Sequence, residues 1–199
     1  MINHWHVGIF LFDEVEVLDF TGSFEVFSVT TEANGVHPFT VHTVSQEGQI
    51  ITARNGLKVQ PDFSIKNLPP VDILIIPGGL GVREYEMKNE IIISWIRQQM
   101  KEVKLMASVC TGALLLAKAG LLDSRKATTH WASIERFRNE FPTVEVLENV
   151  KFVDEGHIIT SGGISAGINM SFHIVKNLLG VEIAEATAKR MEYDIELRN

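Results

Sequence analysis

Cysteine is the scarcest reactive residue in this 199-residue chain: there is one, Cys110. A single cysteine cannot close an internal disulfide or build a Cys-rich zinc centre, so disulfide scaffolds and zinc fingers are excluded. A reducing compartment is the matching expectation. No apolar run approaches the roughly 18 residues needed to span a bilayer. Met1 to Trp5 lacks the basic-then-apolar pattern of a leader, so the expected location is cytoplasmic, with no membrane partner. Basic residues are in deficit, with 18 Lys and Arg against 25 Asp and Glu and a net charge of −7. Without a Lys/Arg block to offset that charge, nucleic acid is a poor partner. His4, His6, His37, His42, His157 and His173 show no metal-ligand spacing, so no metal is expected. Linkers, repeats and low-complexity stretches are also missing, and residues 1–199 read as one domain.

What is present is apolar enough for a core: 45% of residues are hydrophobic and 22% charged. A chain of this size buries roughly 70% of its unfolded surface. Val7 to Phe12, Val71 to Ile76 and Val103 to Val109 are short apolar runs without alternation, the pattern of strands covered on both faces. Helical patterns lie between them, so the order predicts an α/β fold, a mostly parallel sheet between helices. Ile92, Ile96 and Met100, with Trp95, predict a helix from about Asn89 to Lys101. Met170, Ile174 and Leu178 predict another that Gly180 stops in a left-handed conformation. Ala184, Ala188, Met191 and Ile195 predict a last surface helix. Asn55-Gly56 reads as a two-residue hairpin turn, and Asp154-Glu155-Gly156 as a second turn.

Chemistry concentrates where the strand ending at Val109 runs into Cys110-Thr111-Gly112 and then an apolar helix from Ala113 to Ala119. This is the layout of a nucleophile elbow, which presents a side chain at the carboxyl edge of a parallel sheet. Amides and the positive helix end favour a thiolate there, which makes Cys110 a candidate nucleophile at neutral pH. The competing reading is a buried, inert cysteine serving as a small hydrophobe. Asp19, in Leu18-Asp19-Phe20-Thr21-Gly22, is either a local cap or an acid facing the elbow. In the second case thiol and carboxyl share one proton, because two adjacent negative charges repel. Pro77-Gly78-Gly79 ends a buried strand; it is a tight turn, or a place where the Gly78 and Gly79 amides approach a developing negative charge. Its spacing fits neither a Walker loop nor a dinucleotide fingerprint. His130, in Thr128-Thr129-His130-Trp131, is the best imidazole candidate, although nothing in the spacing sets it against Cys110.

Taken together, Leu18 to Gly22, Ile76 to Gly79, Ser108-Val-Cys-Thr-Gly112, Ala119 to Leu122, Ala127 to Trp131 and Ser161-Gly-Gly-Ile-Ser-Ala-Gly167 resemble the ThiJ/PfpI superfamily, within the wider class I glutamine amidotransferase-like fold. Within it the resemblance is strongest to the isonitrile (isocyanide) hydratase branch. The resemblance implies a flavodoxin-like three-layer sandwich, a homodimer, Cys110 as nucleophile, Asp19 as its acidic partner and no cofactor. It implies a hydro-lyase adding water to isonitriles, with Thr111 and nearby amides positioning a small electrophilic substrate. Glyoxalase-like or deglycase-like chemistry and a non-catalytic redox or ligand sensor are the alternatives in the same superfamily. Thr111 stands where protease-like relatives carry His, and no His here has Glu two residues onward as glutaminases of the fold require. Peptidase and glutaminase activities are therefore not expected. Regulators of the superfamily carry an added helix-turn-helix module, for which the chain is expected to have no room.

Overall fold

The computed structural model describes residues 4–33 and 35–197. The sequence readings that rest on residues 1–3 or on Asn199 lie outside them. In chain order the elements are β1 (Trp5–Phe10), α1 (Val17–Val29), β2 (Phe39–Ser45), β3 (Ile51–Thr52), β4 (Lys58–Val59), β5 (Phe63–Ser64) and β6 (Ile73–Ile76). They continue with α2 (Leu80–Glu84), α3 (Glu90–Gln99), β7 (Leu105–Val109), α4 (Gly112–Lys118), β8 (Lys126–Ala127) and α5 (Ile134–Glu140). The chain closes with β9 (Glu145–Val146), β10 (Phe152–Asp154), β11 (Ile158–Ser161), α6 (Ala166–Leu179) and α7 (Val181–Arg190).

Seven strands form the main sheet in the order β10-β11-β7-β6-β1-β2-β5. All neighbours are parallel except β10 and β11, which pair antiparallel across the Asp154-Glu155-Gly156 turn. The apolar runs lack alternation because the sheet is covered on both faces: every residue of β6 and β11 is buried. Helices α1, α6 and α7 pack together, as do α3 and α4, and the sheet lies between the two groups. Helix α3 buries Ile92, Ile93, Trp95 and Ile96 and is capped by the Asn89 side chain, which accepts from the Ile92 amide. The fold is the flavodoxin-like sandwich. Topology fixes where chemistry belongs: the chain leaves β1 toward β2 on one side and returns through β6 and β7 on the other. The crevice at the carboxyl ends of β1 and β6 is thus a switch point, the usual ligand site of such sheets.

Three local expectations are corrected. The Asn55-Gly56 hairpin has a longer turn, closed by the Ala53 amide on the Leu57 carbonyl, because the Arg54 amide is drawn off to the Val15 carbonyl. Its strands β3 and β4 form a separate two-stranded sheet. Gly180 does have positive φ, 96°, but with ψ of 162° it is extended rather than left-handed helical, and it opens α7 directly. Helix α7 ends at Arg190, short of Met191 and Ile195. Glu192 at φ 50° turns the chain, and amides of Tyr193 and Glu192 close on the carbonyls of Ala188 and Lys189. That double closure is a Schellman stop made without glycine.

Candidate active site

Cys110 stands between β7 and α4 with φ of 58°, a left-handed conformation that costs a non-glycine residue roughly 1–2 kcal/mol. The strain is held from several sides. Its amide donates to the carbonyls of Ser161 and Gly162, at 3.2 and 3.1 Å, and its carbonyl accepts from Thr129 Oγ1 at 2.8 Å. The elbow therefore binds β11 and the Thr128–Trp131 segment together. On its other side it presses on Pro77-Gly78: a β-carbon at Gly78 would lie 2.5 Å from the Thr111 amide nitrogen, so only glycine fits.

Asp19 belongs to the first turn of α1 and is fully buried. Its Oδ2 accepts from the Gly78 amide and its Oδ1 from the Ile164 amide, each at 3.0 Å, and the carboxyl lies near enough to the Cys110 thiol for the two to influence each other's ionisation. Burial pushes the Asp19 carboxyl up to about 6; the two amides and the thiol hold it down from a still higher value, while Glu16 adds to the rise. Burial likewise pushes the Cys110 thiol up, and the Asp19 charge adds to that, against the Thr111 amide and hydroxyl. The elbow was expected to give a resting thiolate. It does not: the residue is 6% exposed and α4 has only seven residues, so desolvation and the neighbouring carboxyl outweigh the helix end. At neutral pH the sulfur is a thiol beside a carboxylate, and the two groups titrate as a pair.

The turn glycines are corrected as well. The Gly78 amide is committed to Asp19, and the Gly79 amide donates to Thr111 Oγ1 at 3.0 Å. Neither points an unclaimed N–H at a substrate oxyanion; Gly78 orients the acid, and Gly79, a wall of the site, orients Thr111. His130 lies at the site: Gly163 touches both, and a β-carbon there would collide with the imidazole and lie 3.2 Å from Cys110 Sγ. His130 Nδ1 accepts from the Ala132 amide at 3.3 Å, which leaves Nε2 to carry the proton of the neutral ring. Burial holds the His130 pKa below its ordinary value, opposed by Glu16 and assisted by Arg83, so the ring is neutral at pH 7.

A cavity of about 210 Å³ opens over these groups, lined among others by Cys110, Thr111, Gly79, His130 and Ile164. Glu16, Arg54 and Arg83 line it too. Sequence reasoning missed these three, since charged residues outside motifs carry no local signal. It also missed Ile164, whose φ of 57° is exceptional for a β-branched side chain and which serves Asp19 through its amide. The Gly162-Gly163 pair was the only available hint. Among the described residues, no group of three or more His, Cys, Asp or Glu is placed to hold a metal ion, and no helix is long and apolar enough to cross a membrane.

Residues 6–177 match the model of the DJ-1/PfpI family. The chain belongs to the DJ-1/PfpI family. Among its relatives is an isonitrile hydratase of Pseudomonas putida, 33% identical over 94% of this chain and 78% of that protein. The HTH-type transcriptional regulator GbdR of Pseudomonas aeruginosa is 27% identical over 99% of this chain, which spans 53% of the regulator's length. In three dimensions the family member from Pseudomonas syringae superposes with a TM-score of 0.86 at 22% identity, over 100% of this chain and 78% of that one. Drosophila melanogaster DJ-1beta superposes with 0.83 at 19% identity, over 96% of this chain and all of its own. Those two likenesses speak for the shared fold.

Proposed function

We propose that this DJ-1/PfpI protein is a cofactor-free, cysteine-dependent hydro-lyase that adds water to isonitriles and releases N-substituted formamides. The observation that carries the proposal is the Asp19–Cys110 pair: a buried carboxyl anchored by two amides, raised to about 6 and coupled to a neighbouring protonated thiol. A carbon that must gain a sulfur and a proton in one event is matched to such a pair. The thiol sulfur bonds to the terminal isonitrile carbon while the thiol proton passes to Asp19, and Asp19 delivers it to that carbon, giving a thioimidate. Water then adds to the thioimidate carbon as Asp19 takes one of its protons and the nitrogen gains one. Cleavage of the carbon–sulfur bond releases the formamide, and the sulfur regains a proton. The sum is one isonitrile plus one water, with no redox change. Thr111, fixed by Gly79, and the neutral His130 position substrate and water in the cavity.

The relative from Pseudomonas putida supports this reading over carbonyl chemistry. A redox sensor fits less well, because oxidation selects exposed, low-pKa thiols and Cys110 is buried and raised. The same proposal includes a homodimer and a cytoplasmic location, the first to be read from sedimentation. The deciding experiment follows the formyl proton by NMR after n-butyl isonitrile is added to purified protein. Formamide should accumulate with the wild type and not with Cys110→Ala. Equal rates in that variant, or faster turnover of methylglyoxal than of any isonitrile, would sink the proposal.

A further inference from the structure

A second cavity, of about 330 Å³, lies where β1 and β2 end. It shares no lining residue with the Cys110 cavity. Its walls are about half apolar, including Phe10, Phe12, Ile51 and Tyr85, and half polar, including Ser45, Gln46 and Gln49, and its size suits a small organic molecule.

Glu86 lines this space although it is only 9% exposed. Its Oε2 accepts from Asn89 Nδ2 at 3.2 Å, and among the described residues its other oxygen takes no hydrogen bond. Asn89 is itself held, its Nδ2 also donating to Gln46 Oε1 at 2.6 Å. Two further carboxyls line the cavity. Asp13 uses Oδ1 to accept from the Thr52 amide, and Glu47 is turned to Lys66 at 3.4 Å. Among the described residues no Lys or Arg lines it. A carboxyl this buried, one oxygen unclaimed and a second carboxyl close enough to raise it further, lacks its countercharge.

The geometry points to this cavity as a binding site for a small primary ammonium ion with an alkyl or aryl body. The ammonium donates to Glu86 and Asp13 while its body lies on Phe10, Phe12 and Ile51, and the Tyr85 face is available to the cation. A hard metal ion is the poorer occupant, because among the described residues no three His, Cys, Asp or Glu side chains are placed to hold one. The site is independent of the hydratase reading.

The test is titration of the full chain with n-butylammonium and with 1-butanol, followed by backbone amide NMR at about pH 8, where the amine is still charged. Saturable shifts should centre on Asp13, Gln46 and Glu86, with the ammonium at least about tenfold tighter than the alcohol. Glu86→Gln, which keeps shape and the Asn89 contact, should abolish that preference, and Cys110→Ala should leave it intact. As Glu86 protonates below about 7, ammonium affinity should fall while that of the alcohol stays level. The other titratable groups facing Glu86 are Asp13, Glu47 and Tyr85. If Glu86→Gln fails to fold, Asp13→Asn and the wild-type pH dependence decide. No saturation, equal binding of alcohol and ammonium, an unchanged preference in the Glu86 variant, or shifts produced by magnesium or calcium and not by the amine would overturn the assignment.

Discussion

Asp19→Asn separates the electrostatics of the active-site acid from its hydrogen bonds. In the wild type the carboxyl rises from its ordinary 3.8 to about 6 because it is buried. At about 1.4 kcal/mol per pH unit, this difference makes the ionised native state about 3 kcal/mol less stable than it would be with an unperturbed acid. The native state binds more protons than the unfolded chain between those two pH values. The stability linked to Asp19 is therefore fully present below pH 3.8 and is lost as pH rises through about 6. Asparagine removes that slope. It also exchanges one of two acceptor oxygens for an NH2 group, so either the Gly78 or the Ile164 amide loses its partner, at roughly 1–3 kcal/mol. The variant should thus be about 1–3 kcal/mol less stable than wild type near pH 4 and level with it or slightly more stable near pH 7.5. Urea unfolding of both proteins at the two pH values measures the change. A stability difference that does not vary with pH, or one that moves against the variant as pH rises, would refute a carboxyl raised by burial.

Cys110→Gly should abolish turnover and leave stability within about 1 kcal/mol of wild type, because relief of the strain at φ 58° is offset by lost side-chain burial and by glycine's freer unfolded chain; unfolding and activity on one preparation check it. Gly163→Ala should displace His130, lower isonitrile turnover at least about tenfold and cost roughly 1–3 kcal/mol by overpacking, which kinetics and urea titration read separately. Thr111→Val removes the acceptor of the Gly79 amide and should cost about 1–2 kcal/mol, with a larger effect on kcat than on KM for n-butyl isonitrile.

The sheet was legible because burial on both faces leaves unbroken Val, Ile and Leu runs, as in Ile73–Ile76, and the elbow because strand and helix periods change within two residues of Cys110. Left-handed turns were legible only where glycine marks them. Gly120, at φ 76°, closes α4 as its sequence indicates. Ile164 takes the same region with an ordinary side chain, held by the long-range bond of its amide to Asp19, and Glu192 does so in a local helix closure that no glycine announces. The ionisation of Cys110 was misjudged for a related reason: a helix end is visible in a sequence, whereas the depth of burial opposing it belongs to the assembled core. The Gly78 and Gly79 amides were misjudged because which acceptor claims an N–H depends on Asp19 and Thr111, both remote along the chain.

The bond from Asp19 to the Ile164 amide spans 145 positions. During synthesis the amino-terminal half emerges with this acid still missing its last ligand, and nothing upstream can replace it. On the proposed function, a polypeptide truncated before position 164 holds both reacting groups but lacks the amide that anchors the acid. Adding the missing carboxyl-terminal piece back to such a fragment tests how far the acid depends on that one distant amide.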